Sequence, residues 1–199
     1  MVFLKRDILD SLLRDNKGFL KTSEAVAAGI SREYLGEYVR RNGLERVAYG
    51  LYMSVDTWAD GMYALQVRYP AAVFSHESAL YLLGLAEREP SAFSVTLKAG
   101  ASTSRLRRDG VRVYRVKEAL LEEGVIAVLS PTGHPLRAYN AERTICDLFR
   151  YRSKIDVQDL QAAVKGYIRR REKNIPLLLR YAKKLRVEKY ARQYLEALL

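Results

Sequence analysis

The sequence predicts an α+β chain: an N-terminal winged helix-turn-helix, then a mixed α/β domain that ends in a helical segment. Three observations carry this. Residues 22–53 run as cap, short helix, glycine, second helix, Asn-Gly stop and two short strands. Residues 93–139 hold alternating, β-branched runs that suit strands. Residues 140–199 return to apolar spacing of three and four, with helix-capping residues at Asn140, Asp156 and Asn174.

In order, Lys5 to Leu13 places Ile8, Leu9, Leu12 and Leu13 on one helix face, and Asn16-Lys17-Gly18 stops it. Gly18 to Lys21 is short enough for a small strand. Thr22 or Ser23 caps a helix to Ala28, and Gly29 ends it. Ser31 caps a second helix to about Arg41, before Asn42 and Gly43, both tolerant of positive φ. Leu44 to Met53 reads as two strands around a turn. Asp56 and Thr57 open a connecting helix that Pro70 stops, so the boundaries fall as 1–54, 55–70 and 71–199. Beyond them Ser75 caps a helix to Leu83, Phe93–Leu97 and Val111–Val116 read as strands, and residues 98–110 as a polar, basic loop. Val125–Leu129 reads as an apolar strand, with Leu136–Tyr139 pairing back across a Thr-Gly-His-Pro turn.

Charge narrows the partner. Lys and Arg number 34 against 23 Asp and Glu, a net +11, and such an excess favours polyanions, since each neutralised phosphate releases counterions. It is unevenly spread: residues 165–192 hold 11 basic and 2 acidic side chains. No run reaches the roughly 18 apolar residues a membrane span needs, and charge enters at Lys5, too early for a signal peptide's apolar stretch. A single cysteine, Cys146, leaves no internal disulfide. The expectation is a cytoplasmic protein with no membrane partner.

The segment Thr22 to Met53 carries the functional reading. Ala25, Ala27 and Ala28 give a crossing helix room, Gly29 allows the tight turn, and Ile30 plugs the space between the helices. In the second helix Leu35, Tyr38 and Val39 point to the core, and Arg32, Glu33, Gly36, Glu37 and Arg40 point away. A recognition helix presents such a face to a major groove. Arg32 suits guanine or phosphate, Tyr34 phosphate, and Arg40 and Arg41 the flanking phosphates. Glu33 and Glu37 either accept from cytosine or pair with basic neighbours. Arg46 and Tyr49 sit in the wing, against backbone or minor groove. Thr22, Ser23 and Ser31, at the two helix starts, complete the DNA-facing set. The bland alternative is a helical hairpin with a solvated charged face.

Several segments resemble one family. TSEAVAAGIS at Thr22–Ser31, Tyr34-Leu35, LERVAYGLY at Leu44–Tyr52, FSHESAL at Phe74–Leu80 and NAERTICDL at Asn140–Leu148 are similar to AbiEi-type antitoxins. Those are transcriptional regulators of type IV, abortive-infection (phage defence) toxin–antitoxin systems. The resemblance implies a winged domain that binds an inverted repeat as two copies and represses its own operon. It implies a C-terminal domain that counters a nucleotidyltransferase-like toxin without a stable complex.

Signals for chemistry are few. His76-Glu77 begins an apolar helix, where capping or core-edge roles suit both, and His134 sits in a turn expected to be solvated. Two histidines and one cysteine give no zinc spacing, and Ala99–Ser102 is no phosphate loop. No catalytic residue, cofactor or metal is expected. Arg143 and Asp147, four apart, read as a supporting helix ion pair. A second basic surface is expected from Arg105, Arg107, Arg108, Arg169, Arg170, Arg171, Lys183 and Lys184. The alternative from another class is a nuclease or transferase aimed by a winged helix.

Overall fold

In the computed structural model, which describes residues 2–198, the chain divides into two units: 1–70 with 130–134, and 71–129 with 135–199. Ten α-helices and two β-sheets are found among those residues, and no helix is long and apolar enough to cross a membrane.

The first unit runs α1 (Val2–Asp15), β1 (Phe19–Lys21), α2 (Thr22–Ala27), α3 (Arg32–Arg41), β2 (Glu45–Ala48), β3 (Leu51–Met53) and α4 (Gly61–Arg68). Its antiparallel sheet has the order β1-β3-β2, with Phe19 and Glu45 both opposite Met53. Leu9, Leu20, Ala25, Ile30, Leu35, Tyr38 and Leu44 form one buried cluster. Ile30 fills the α2–α3 turn as expected. Burying each large aliphatic side chain here is worth roughly 1.5–3 kcal/mol.

Two local readings change. α2 begins at Thr22 with Lys21 in the cap position and no side-chain cap bond. The Thr22 N–H is already taken by the Gly50 carbonyl at 2.8 Å, so β1 feeds directly into the helix. The connecting helix is shorter than expected, because Asp60 caps it instead of Asp56 or Thr57. The Asp60 Oδ1 accepts the Tyr63 N–H at 2.8 Å.

The second unit runs β4 (Val73–Phe74), α5 (His76–Leu82), β5 (Ser94–Lys98), α6 (Ser104–Arg108), β6 (Arg112–Val116), β7 (Val125–Leu129), β8 (Pro135–Tyr139), α7 (Ala141–Arg150), α8 (Val157–Arg169), α9 (Ile175–Lys184) and α10 (Glu188–Leu198). The mixed sheet has the order β6-β5-β4-β8-β7. β4, its centre, is two residues long and shows no periodicity in the sequence. α6 occupies the expected basic loop, anchored by the buried Leu106. The helices close around Ile145, Leu148, Phe149, Val164, Tyr167 and Leu178. Asn140, Asp156 and Asn174 each accept a backbone N–H from the first turn of α7, α8 and α9.

α7 is buried on nearly every side, which alters the Arg143–Asp147 reading. Both side chains are 1% exposed, with Arg143 Nε donating to Asp147 Oδ2 at 3.0 Å. Arg143 Nη1 also donates to the Leu120 and Glu123 carbonyls at 2.7 and 2.8 Å. The guanidinium lies 4.1 Å from the Tyr139 ring centre. This is a core network that ties α7 to the β6–β7 connection, not a surface pair.

Candidate nucleic-acid interface

α3 is opened by Ser31, whose Oγ accepts the Tyr34 N–H at 3.3 Å. It closes at Asn42, followed by Gly43 at φ +63° with Leu44 N–H returning to the Val39 carbonyl at 3.0 Å. Leu35 and Tyr38 are buried, Val39 half-buried, and Arg32, Glu33, Arg40 and Arg41 exposed. Tyr38 donates to Asp10 at 2.5 Å, which fixes α3 against α1. Burial and that carboxylate push the phenol well above its ordinary range.

The outward face carries two kinds of cation. Arg41 is held by Glu37 at 2.7 Å, an i,i+4 pair. Arg32 and Arg40 form no ion pair among the described residues. The Glu33 carboxyl is held below its usual range by its own backbone N–H, the Ser31 hydroxyl and Arg32. Glu37 therefore answers to a neighbouring arginine in this structure, one of the two roles expected of it. Gly36 leaves the middle of the helix flat: the nearest atom to a Cβ placed there is Arg40 Nη1 at 4.0 Å.

The β2–β3 hairpin reverses at Tyr49-Gly50, with Gly50 at φ +72° and Thr22 Oγ1 3.6 Å from where its Cβ would stand. Thr22 thus lies beside the hairpin tip, with Ser23 exposed next to it. Tyr49 is 83% exposed, an unusual place for an aromatic ring. Arg46 lies 5.4 Å from its ring centre and donates to the Ala48 carbonyl at 3.4 Å. Two further cations adjoin α3 that its own sequence does not announce. Lys5 lies 5.7 Å over the Tyr34 ring, and Arg6 lines a cleft with Tyr34, Glu37, Tyr38, Arg41 and Asn42. Their only sequence signal is a basic pair at the head of an amphipathic helix.

The expected second basic surface is mixed. Arg105, Arg107, Arg108, Arg169, Arg171 and Lys183 are exposed. Arg170 is half-buried and donates to the Leu83 carbonyl, and Lys184 pairs with Glu123. In the same unit a groove of about 680 Å³ is lined by charges of both signs, Glu87, Glu89, Asp156 and Asp159 beside Arg88, Arg112 and Lys154.

His134, expected in solvent, is 3% exposed. Its Nδ1 lies 3.0 Å from Asp60 Oδ2, which also accepts from Ser130 at 2.6 Å and from Thr132. Burial alone would raise the Asp60 carboxyl, yet the bonds from Ser130, Thr132, the Tyr63 N–H and His134 hold it below its usual range. Serine, histidine and aspartate meet here without the geometry of nucleophilic catalysis. Ser130 donates to the carboxylate and not to the ring, and His134 Nε2 faces the Asn16 carbonyl at 3.3 Å. His76 is 1% exposed and stacked on Tyr114 at 3.5 Å, and burial and nearby arginines lower it to about 3. Cys146 is fully buried. Among the described residues no group of three His, Cys, Asp or Glu can hold a metal ion.

Comparison with known proteins adds a likeness over the N-terminal segment. Residues 7–55 match the family described as "Transcriptional regulator, AbiEi antitoxin", a match that runs from within α1 to just past β3. No curated protein matches the chain. Among solved structures, the crystal structure of the RV2827C protein from Mycobacterium tuberculosis is similar over 98% of this chain and 81% of its own. Its TM-score is 0.50 at 14% identity, a likeness of fold alone.

Proposed function

From an N-terminal segment that matches the AbiEi antitoxin transcriptional regulators, we propose that this chain is the antitoxin of a type IV toxin–antitoxin system and represses its own operon. On this reading residues 1–54 are a winged helix-turn-helix: α2 and α3 are its helical pair and the β2–β3 hairpin its wing. α3 enters the major groove of an inverted repeat that two copies occupy. Arg32 and Arg40 read bases or phosphates, Arg41 and Tyr34 the flanking backbone, and Arg46 with Tyr49 the adjacent groove. Thr22, Ser23 and Ser31 place hydroxyls at the helix starts, within reach of backbone phosphates. The second unit counters a nucleotidyltransferase-like toxin, with no stable complex required, and acts in the cytoplasm. Its exposed arginines, Arg105, Arg107, Arg108, Arg169 and Arg171, with Lys183, add a positive field that attracts polyanions without sequence preference.

One observation supports this above the rest. Arg32 and Arg40 stand exposed and form no ion pair among the described residues, on the outer side of a helix whose inner side is locked by Leu35 and Tyr38. Exposed arginines on a rigid helix suit groove recognition, because no salt bridge must be broken before they bind. The test uses the full chain carrying Arg32→Ala and Arg40→Ala. It should lose repression of a reporter driven by its own upstream DNA, yet still rescue growth against the cognate toxin. Intact repression by that double variant would end the recognition-helix assignment.

A further inference from the structure

Sheet edges invite pairing with other chains, and proteins blunt them with charge, proline, bulges or short strands. Three of the four edges here are blunted. β6 carries exposed Arg112 and Arg115, β1 has three residues, and β2 carries Glu45 and Arg46 with an irregular register. The fourth, β7, is not. It reads Val125-Ile126-Ala127-Val128-Leu129, with no charge, no proline and an unbroken five-residue register against β8. Ala127 is exposed, and Ile126 and Leu129 are 36% and 65% exposed.

Hydrogen-bond parity shows what the edge offers. Asn140 N–H donates to the Gly124 carbonyl and Ser130 N–H to the His134 carbonyl, both at 2.8 Å. In an antiparallel pair such bonds recur at every second residue. Positions 124, 126, 128 and 130 therefore face β8, while the N–H and C=O groups of Ala127 and Leu129 face the open side.

We propose that a second copy of this chain pairs with β7, antiparallel, about a twofold axis through Ala127. The strand is complementary to its own reverse. Val125 meets Leu129 of the second copy, Ile126 meets Val128, and Ala127 meets Ala127. Every cross-strand pair is apolar and no like charges are opposed, which sheet pairing requires. The two five-stranded sheets become one continuous sheet, and the twofold closes the assembly, since each copy offers one such edge. A single five-residue pairing buries less than the about 1,200 Å² of a standard interface, so the dimer is weak. This goes beyond the DNA reading and is measured without DNA.

Sedimentation velocity of the full chain over about 1–200 μM, the range for an interface of this size, is the test. A concentration-dependent monomer–dimer equilibrium is expected. Ala127→Pro deletes an N–H that β8 does not use, so the native ladder survives and the dimer dissociation constant rises at least about tenfold. Ala127→Lys and Ala127→Glu each place like charges at the axis and should be monomeric alone, and mixing them should restore the dimer. If the proline variant does not fold, this pair decides. The proposal is overturned by a wild-type chain that stays monomeric, as it would if the edge awaited another protein's strand. It is equally overturned by growth past the dimer, by unchanged affinity in Ala127→Pro, or by no recovery on mixing.

Discussion

Arg40→Ala is the substitution whose outcome can be worked out most completely. Arg40 is exposed, forms no ion pair among the described residues and lies on a helix. Arginine and alanine differ little in helix propensity, so stability should change by less than about 0.5 kcal/mol. On DNA the side chain releases about one condensed counterion if it meets one phosphate, and the slope of log K against log salt should flatten by about 0.9. Between about 50 and 200 mM salt one such contact accounts for roughly a 3.5-fold change in affinity. Arg41→Ala makes the informative contrast. Glu37, 2.7 Å away, already compensates Arg41, so its removal should change the slope less. Fluorescence-anisotropy titrations of both variants on the upstream duplex, at four or more salt concentrations, read the difference. Equal slopes for wild type and Arg40→Ala would refute the idea that α3 lies against phosphate.

Other consequences are structural. Gly29 sits at φ +81° with nothing within 4 Å of a Cβ, so Gly29→Ala should cost only the backbone penalty, about 1–2 kcal/mol. Gly124, at φ +82°, would place a Cβ 2.8 Å from that of Arg143, so Gly124→Ala should lower the urea midpoint further than Gly29→Ala; the reverse order would contradict the packing. Arg143→Ala leaves Asp147 buried and unpaired and should cost about 3–5 kcal/mol, whereas Arg143→Met with Asp147→Leu should cost less. Equal losses in the single and double variants would show that the charge pair is not the governing term. His76 is neutral when folded, with a value near 3 against 6.5 when unfolded. The unfolded state therefore binds more protons between these values, and stability falls as pH drops from 6.5 towards 3, by up to roughly 1.4 kcal/mol per unit. His76→Asn, which tolerates the φ of +49° and does not titrate, should flatten that slope in urea melts; an unchanged slope would assign it to other groups.

Much of the first unit was legible because its signals are local. Ser31, Ile30, Gly29 and Asn42-Gly43 act within one or two turns of chain, and the structure places a cap, a plug, a turn and a stop at those residues. The separation of Arg32 and Arg40 from Leu35 and Tyr38 follows from helical period alone. What was hidden depends on distant partners. His134 looked like a solvated turn residue because its acceptor, Asp60, lies 74 positions away. Asp60, the residue that caps α4 through Oδ1, takes Ser130 and Thr132 as donors on Oδ2, partners some 70 positions away. Arg143 and Asp147 have the spacing of a surface pair, and only the layers packed around α7 make them core. β4 has two residues, too few for a period, so its central place comes from its neighbours β5 and β8. The charge on Arg170 and Lys184 was countable, but their internal partners Leu83 and Glu123 were not.

The central claim is sequence-specific binding of DNA by the first unit. Its most direct measurement is the affinity of the full chain for the duplex upstream of its own reading frame, against a scrambled duplex of equal length and composition, at one fixed salt concentration. Specific recognition should favour the native duplex by about 10³-fold or more. Equal affinity for both would leave only a basic protein meeting a polyanion.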